Sequence, residues 1–189
     1  MPKVATSKTL TREDLATHIG VRINDRPIRE LRGIVSVMIE NLSNALQANK
    51  SIYLGKHGKL RTYTKQARPD SVFGPIPERM AVTLSSLAPT EGGKYLKSDF
   101  IAEIQKAAGL SSREARDVYK AFEGFLDLAL EQKYRIELRG FGSFYPRYYA
   151  ARMRHNPKTG VKIPMPETYT LAFKLAKKQR YAIEHAVGM

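Results

Sequence analysis

Apolar residues recur at helical spacing in two stretches of this chain. Leu31, Ile34, Val35, Met38, Ile39, Leu42, Ala45 and Leu46 trace one stripe, and Ala115, Val118, Phe122, Phe125, Leu126, Ala129 and Leu130 trace a second. Each stripe predicts an amphipathic helix that packs a core rather than holding a cofactor. Helix starts are marked at Thr11 with Asp14 in its first turn, near Asp25 before Pro27, and at Ser111 with Glu114, a capping-box pattern. Beyond each stripe lies a matching segment: Ile52-Tyr-Leu-Gly-Lys-His-Gly-Lys-Leu60 follows the first, and Ile136-Glu-Leu-Arg-Gly-Phe-Gly-Ser-Phe144 follows the second. Their apolar positions coincide and Gly58 falls opposite Gly142. Pro75-Ile-Pro-Glu78 likewise matches Pro164-Met-Pro-Glu167. The first half therefore reads as a divergent copy of the second.

The second copy carries the more informative chemistry. Arg139-Gly-Phe-Gly-Ser-Phe144 reads as a tight turn in which Gly140 and Gly142 take backbone angles denied to other residues, while Phe141 and Phe144 supply apolar surface to a core. Further on, Asn156-Pro157-Lys158-Thr159-Gly160 has the composition of a turn: proline fixes φ, glycine allows φ > 0, and asparagine bonds its own backbone. Arg152, Arg154, Lys158 and Lys162 flank or occupy that turn, so the predicted hairpin is basic on both sides.

These motifs, in this order and over roughly residues 97 to 185, resemble the bacterial histone-like DNA-bending proteins, HU and integration host factor. The resemblance is carried by Asp99 and Phe100 in a helix, the Leu110-Ser-Ser-Arg-Glu114 helix start, the Gly-Phe-Gly-Ser-Phe turn, the Arg-x-x-x-Asn-Pro-x-Thr-Gly arm, and a C-terminal segment opening with Ala172-Phe173-Lys174. It implies an α+β fold with a helical body and protruding β-ribbon arms, normally built from two subunits. It further implies that the proline at the arm tip, here Pro157, wedges between base pairs from the minor groove, so that duplex DNA is bent with little base readout. The DNA-contacting residues it points to are Arg147, Arg152, Arg154, His155, Asn156, Pro157, Lys158, Thr159, Gly160, Lys162, Lys174 and Lys177, with Lys65 and Arg68 on the first arm. His155 and Tyr149 stand where the family usually has basic residues.

A repeat that cannot bury its apolar faces alone pairs with a second copy, and here that copy is on the same chain, although a short linker also allows exchange between two chains as a homo-oligomer. The expected architecture is thus two such repeats forming a single-chain pseudo-dimer: a degenerate repeat over 1–88, a linker over 89–96, and a full repeat over 97–189. A short tether keeps the two at an effective concentration of about the millimolar scale. The copies are unequal. From Gly142 to Pro164 is 22 residues but from Gly58 to Pro75 only 17, so the first arm is five shorter. Its tip, Arg68-Pro69-Asp70-Ser71-Val72-Phe73, lacks the Asn-Pro-x-Thr-Gly pattern, which makes Pro69 a turn residue rather than a wedge. The first half also runs from Leu87 into the linker without a final helix.

Composition agrees with a polyanionic partner. There are 32 Lys and Arg against 18 Asp and Glu, a net charge of +14 and a pI near 10.0. Up to residue 90 there are 14 basic and 7 acidic residues, and beyond it 18 and 11, so each half carries +7. The charge belongs to the whole molecule and not to a tail. Without cysteine there is no disulfide framework and no thiolate metal site. The four histidines, His18, His57, His155 and His185, lack metal-ligand spacing, and no phosphate loop or set-off carboxylate pair appears, so an enzyme is not expected and no cofactor or metal is assigned. Arg139-Gly-Phe-Gly also opens like the aromatic strand motif of RNA-recognition domains, but Ser143 breaks the match. No apolar run or secretory stretch is evident, which places the expected site of action in the cytoplasm, at the bacterial nucleoid. The alternative is a structural component, for example of a phage virion, that reuses the fold for protein contacts. The degenerate first arm and Tyr145, Tyr148 and Tyr149 favour that alternative.

Overall fold

The computed structural model describes residues 8–23, 26–69, 72, 74–85, 93–156 and 158–186. The first half comprises β1 (Thr9–Leu10), α1 (Arg12–Gly20), α2 (Ile28–Gln47), β2 (Ser51–Tyr53), β3 (Lys59–Lys65) and β4 (Arg79–Ser85). The second comprises β5 (Lys94–Tyr95), α3 (Lys97–Ala108), α4 (Ser112–Glu131), β6 (Arg135–Leu138), β7 (Gly142–Tyr149), β8 (Arg152–His155), β9 (Lys162–Met165), β10 (Thr168–Leu175) and α5 (Lys177–Ala186). Both halves thus run short strand, short helix, long helix, antiparallel strands.

The helices begin where side chains can cap them. Asp14 Oδ2 accepts from the Thr11 main-chain N at 2.7 Å to start α1. At α4, Ser111 Oγ accepts from Glu114 N at 3.3 Å while Glu114 Oε2 accepts from Ser111 N at 2.8 Å, so two otherwise orphaned donors are satisfied. Pro27 is the N-cap of α2; the neighbouring Asp25 lies outside the described residues. Each apolar stripe is the buried face of its 20-residue helix, except that Leu130 at the end of the second is only half-buried.

The strand registers superimpose one half on the other. Ile52 faces Leu60 across β2 and β3, as Ile136 faces Phe144 across β6 and β7. Leu60 in turn faces Leu84, and Phe144 faces Phe173, which makes Pro75-Ile-Pro-Glu78 and Pro164-Met-Pro-Glu167 structurally equivalent. The two sheets have strand orders β1-β6-β7-β10 and β4-β3-β2-β5. Each is completed by a short parallel strand from the opposite half: Leu10 lies beside Ile136, and Tyr95 beside Ile52.

This exchange changes the expected partition of the chain. Of the segment expected as a linker, residues 89–92 lie outside the described part, whereas Lys94–Tyr95 is β5. Tyr95 is buried in the first half's sheet and Leu10 in the second's, so neither half's core is made of its own residues alone. Across the junction α1 packs on α4, α2 on α3, and β4 on β10, while α5 crosses over to lie on α2 and β4. A single apolar core runs through both halves, with Phe122, Phe144 and Phe173 in successive ring contact.

The glycine-bracketed turn holds one correction. Gly140 has φ +88°, as a left-handed turn position requires, but Gly142 does not have a positive φ. Its constraint is space: a Cβ there would clash with the edge of the Phe173 ring and lie 2.6 Å from the main-chain oxygen of Lys174. Gly142 is needed because β7 and β10 approach too closely for any side chain.

Candidate nucleic-acid interface

Strand alternation sorts the basic residues onto surfaces. In β3 and β4 the inner positions Leu60, Thr62, Met80 and Val82 are buried, which turns Lys59, Arg61, Lys65 and Arg79 to the outer face. In β7 and β10 the inner positions are Phe144, Pro146, Leu171 and Phe173, and Arg147 and Lys174 face outward. Arg135 of β6 joins them, its Nη2 donating to Ser143 Oγ at 2.9 Å. Each half therefore offers a sheet face with basic side chains.

The second arm rises from that face. β8 and β9 pair antiparallel, with Arg152 facing Met165, Met153 facing Pro164, Arg154 facing Ile163 and His155 facing Lys162. Every residue of both strands is exposed. At the tip the Gly160 N–H donates to Asn156 O at 2.8 Å, and the Lys158 N–H donates to Asn156 Oδ1 at 3.0 Å. The asparagine thus closes the turn with both its main chain and its side chain. Gly160 has φ +69°, the left-handed conformation that glycine adopts without strain. Thr159 Oγ1 accepts from Val161 N at 3.4 Å. Pro157 lies outside the described residues. From Gly142 to Pro166 the chain carries Arg147, Arg152, Arg154, Lys158 and Lys162 and no Asp or Glu.

Tyrosines set the direction of the arginines at the arm's root. The Arg147 and Arg152 guanidinium carbons lie 5.1 and 5.8 Å from the Tyr149 ring centroid. Such contacts contribute about 0.5–1 kcal/mol each at exposed sites and restrict where the guanidinium points. Tyr148 O–H donates to Glu167 Oε2 at 2.7 Å, and this hydrogen bond raises the phenol's pKa. Tyr149 therefore organises charge at a position where sequence alone shows only a missing basic residue.

In the first arm, Arg68 and Ile76 form a bridge in which their main chains exchange hydrogen bonds of 2.8 and 2.9 Å. Lys65 lies directly opposite Arg79. Like charges in opposed positions destabilise a sheet by about 0.2–1 kcal/mol, a cost that a bound polyanion relieves. The Asp70, Ser71 and Phe73 positions of the expected tip lie outside the described residues.

The structure thus gathers Arg147, Arg152, Arg154, His155, Asn156, Lys158, Thr159, Gly160 and Lys162 on one arm and its root, with Lys174 on the same sheet. Lys65 and Arg68 belong to the other half's arm, and Lys177 opens α5, its Nζ 5.7 Å from the Tyr181 ring centroid. Lys59, Arg61, Arg79 and Arg135 extend the basic surface beyond the motif residues. Their signal is the alternation itself, as in Lys59-Leu60-Arg61-Thr62-Tyr63. The ion pairs Arg26–Glu114, Arg32–Glu13 and Lys56–Asp127, at 2.7, 2.7 and 3.0 Å, belong by contrast to the helical body.

The second half of the chain is similar to known proteins. The family described as "Bacterial DNA-binding protein" matches residues 95–184. Integration host factor subunit beta of Nitrosomonas europaea is 37% identical over 89 residues, which is 47% of this chain and 85% of that protein. Integration host factor subunit alpha of Xylella fastidiosa is 35% identical over 92 residues, 49% of this chain and 93% of the relative. The HU chain of an Anabaena HU–DNA cocrystal structure matches with a TM-score of 0.42 and 30% identity, over 46% of this chain and 95% of that one. With such identity over most of the relatives' length, the chain belongs to the bacterial histone-like DNA-binding family of HU and integration host factor.

Proposed function

We propose that this protein is an architectural DNA-binding protein that bends duplex DNA through the minor groove, with little base readout and with one full wedge. The observation that carries this reading is the second arm: an exposed ribbon with Arg152, Arg154, Lys158 and Lys162, no acidic residue, and an Asn156-closed tip that bears Pro157. Basic side chains displace the counterions of the phosphate backbone and set affinity, while an apolar wedge unstacks a base step. The first half supplies a second basic face, Lys59, Arg61, Lys65 and Arg79, without an equivalent wedge. The bend is accordingly sharper on the second arm's side.

Reciprocal exchange of β1 and β5 supports a single-chain pseudo-dimer as the working unit. Its place of action is the bacterial nucleoid, as for its relatives. An assembly component gripping proteins through spare tyrosines is the weaker reading, because Tyr148 and Tyr149 are already engaged with Glu167, Arg147 and Arg152.

Energy transfer between dyes on the two ends of a duplex tests the proposal. The parent protein brings the ends together, Pro157→Ala reduces the approach while keeping most of the salt-dependent affinity, and Pro69→Ala changes it little. Binding without bending by the parent protein would overturn the bending reading, and absence of binding would overturn the whole.

A further inference from the structure

The two halves differ in what covers the end of the long helix. On the first half α5 covers it, lying on α2 and β4. Ile183 is fully buried there, Gln179 Nε2 donates to Ser43 O at 3.1 Å, and Glu184 Oε1 accepts from the Met80 N–H at 3.1 Å. Beneath this helix Leu46, Met80 and Val82 are all buried.

The equivalences above place Leu130, Tyr169 and Leu171 at the matching positions of the second half. No described helix lies over them. Leu130 and Tyr169 are only half-buried, and they line an open cleft together with Leu171, Lys56, Arg152 and Arg154. Among the described residues no segment fills it as α5 fills its counterpart, and the stretch between Ser85 and Gly93, seven residues, is shorter than the 10 of α5. The described residues lining the cleft include Lys56, His57, Arg152 and Arg154 and no acidic side chain, although Asp127 behind them holds Lys56 at 3.0 Å and His57 at 2.8 Å, which leaves Arg152 and Arg154 to set the charge of the rim.

We propose that this cleft is a docking site for an amphipathic helix of another protein, with acidic residues along its flanks. The first half shows the mode of binding: an aliphatic residue between helix and sheet, an amide on a helix-end carbonyl, and a carboxylate on an edge-strand N–H. The basic rim selects the charge of the partner. A second copy's α5 carries Lys177, Lys178 and Arg180 against the single carboxylate of Glu184, so a net positive helix would enter a cleft whose charged lining is basic, and is disfavoured. The floor of the site is α4 and β10, but its rim shares Arg152 and Arg154 with the arm proposed to hold DNA, so peptide and duplex compete for those two side chains.

The probe is a fluorescent, stapled peptide of residues 175–186 carrying Lys177→Glu, Lys178→Glu and Arg180→Glu, with the unaltered stapled peptide as comparison. The acidic peptide binds the full chain saturably, by anisotropy. Leu130→Glu, which sets a like charge in the floor, weakens it by about tenfold or more. Leu130→Ala, which keeps the fold if the charge does not, weakens it by about threefold, and Lys97→Glu on α3 leaves it unchanged. Failure of the acidic peptide to saturate, or indifference to both Leu130 substitutions, overturns the proposal. So does equal binding of the unaltered peptide, which assigns the cleft to a second copy. A short duplex that displaces the peptide, with Leu130→Ala weakening DNA binding as well, overturns it in favour of DNA.

Discussion

Replacing Gly142 with alanine tests the packing that holds the second arm on the body. The added Cβ clashes with the edge of the Phe173 ring and falls 2.6 Å from the Lys174 carbonyl oxygen. The ring cannot swing away, since its centroid is 4.8 Å from that of Phe144 and 5.3 Å from that of Phe141. The carbonyl belongs to β10, which is paired with β7 along its whole length. Relief therefore requires the two strands to part. Overpacking costs about 1–3 kcal/mol, and a clash with backbone puts this case near the upper end. At about 2–4 °C per kcal/mol for a chain of this size, the midpoint falls by about 6–12 °C. Gly33→Ala is the control: it lies within α2 with no atom within 4 Å of its new methyl, and should gain about 0.5–1 kcal/mol. Thermal unfolding followed by circular dichroism reads both. A Gly142→Ala protein melting no lower than its parent would refute the reasoning, because the strands would then have room that the structure denies.

Three further outcomes are expected. Arg61→Ala should lower the slope of log affinity against log salt by about 0.9 if its guanidinium contacts one phosphate, whereas Lys106→Ala on α3 leaves the slope unchanged. Glu114 is lowered from 4.5 to about 2, chiefly by hydrogen bonds from Ser111 and then by Arg26. A depressed carboxylate stabilises the fold fully above its unfolded value, so this contribution, about 1 kcal/mol for an exposed cap and ion pair, is lost as pH falls from 4.5 towards 2. Denaturant titrations across that window should show the loss, and Glu114→Gln should flatten it. Light scattering at micromolar concentration should give a monomer of 21.3 kDa, and an obligate dimer would count against the single-chain unit.

Much of this structure was legible in the residues. The stripes Leu31–Leu46 and Ala115–Leu130 became the buried faces of α2 and α4, with Leu130 alone left half-buried, and the equivalence of Ile52 with Ile136 reappeared in the strand registers. Asn156 and Gly160 mark a turn because their chemistry is local. Gly142 was harder: a residue type does not distinguish a left-handed backbone from a lack of room, and only the Phe173 ring settles which applies. The exchanged strands were invisible for a different reason. Thr9–Leu10 and Lys94–Tyr95 are two residues each, too short for periodicity, and their partners lie far away in sequence. Tyr149 was misleading as a lost cation, because the two arginines it orients come from either side of it.

The strand exchange also sets an order of events during synthesis. As the chain leaves the ribosome, β2, β3 and β4 can pair early, but their sheet lacks its last member until Tyr95 emerges. Leu10 is made well before Ile136, its neighbour in the finished sheet, and must wait for it. A nascent product stopped between the halves therefore carries an unfilled sheet edge and a strand without a berth. Release of a folded molecule is tied to completion of both repeats, and a truncated one advertises itself to proteases by the edge it leaves open.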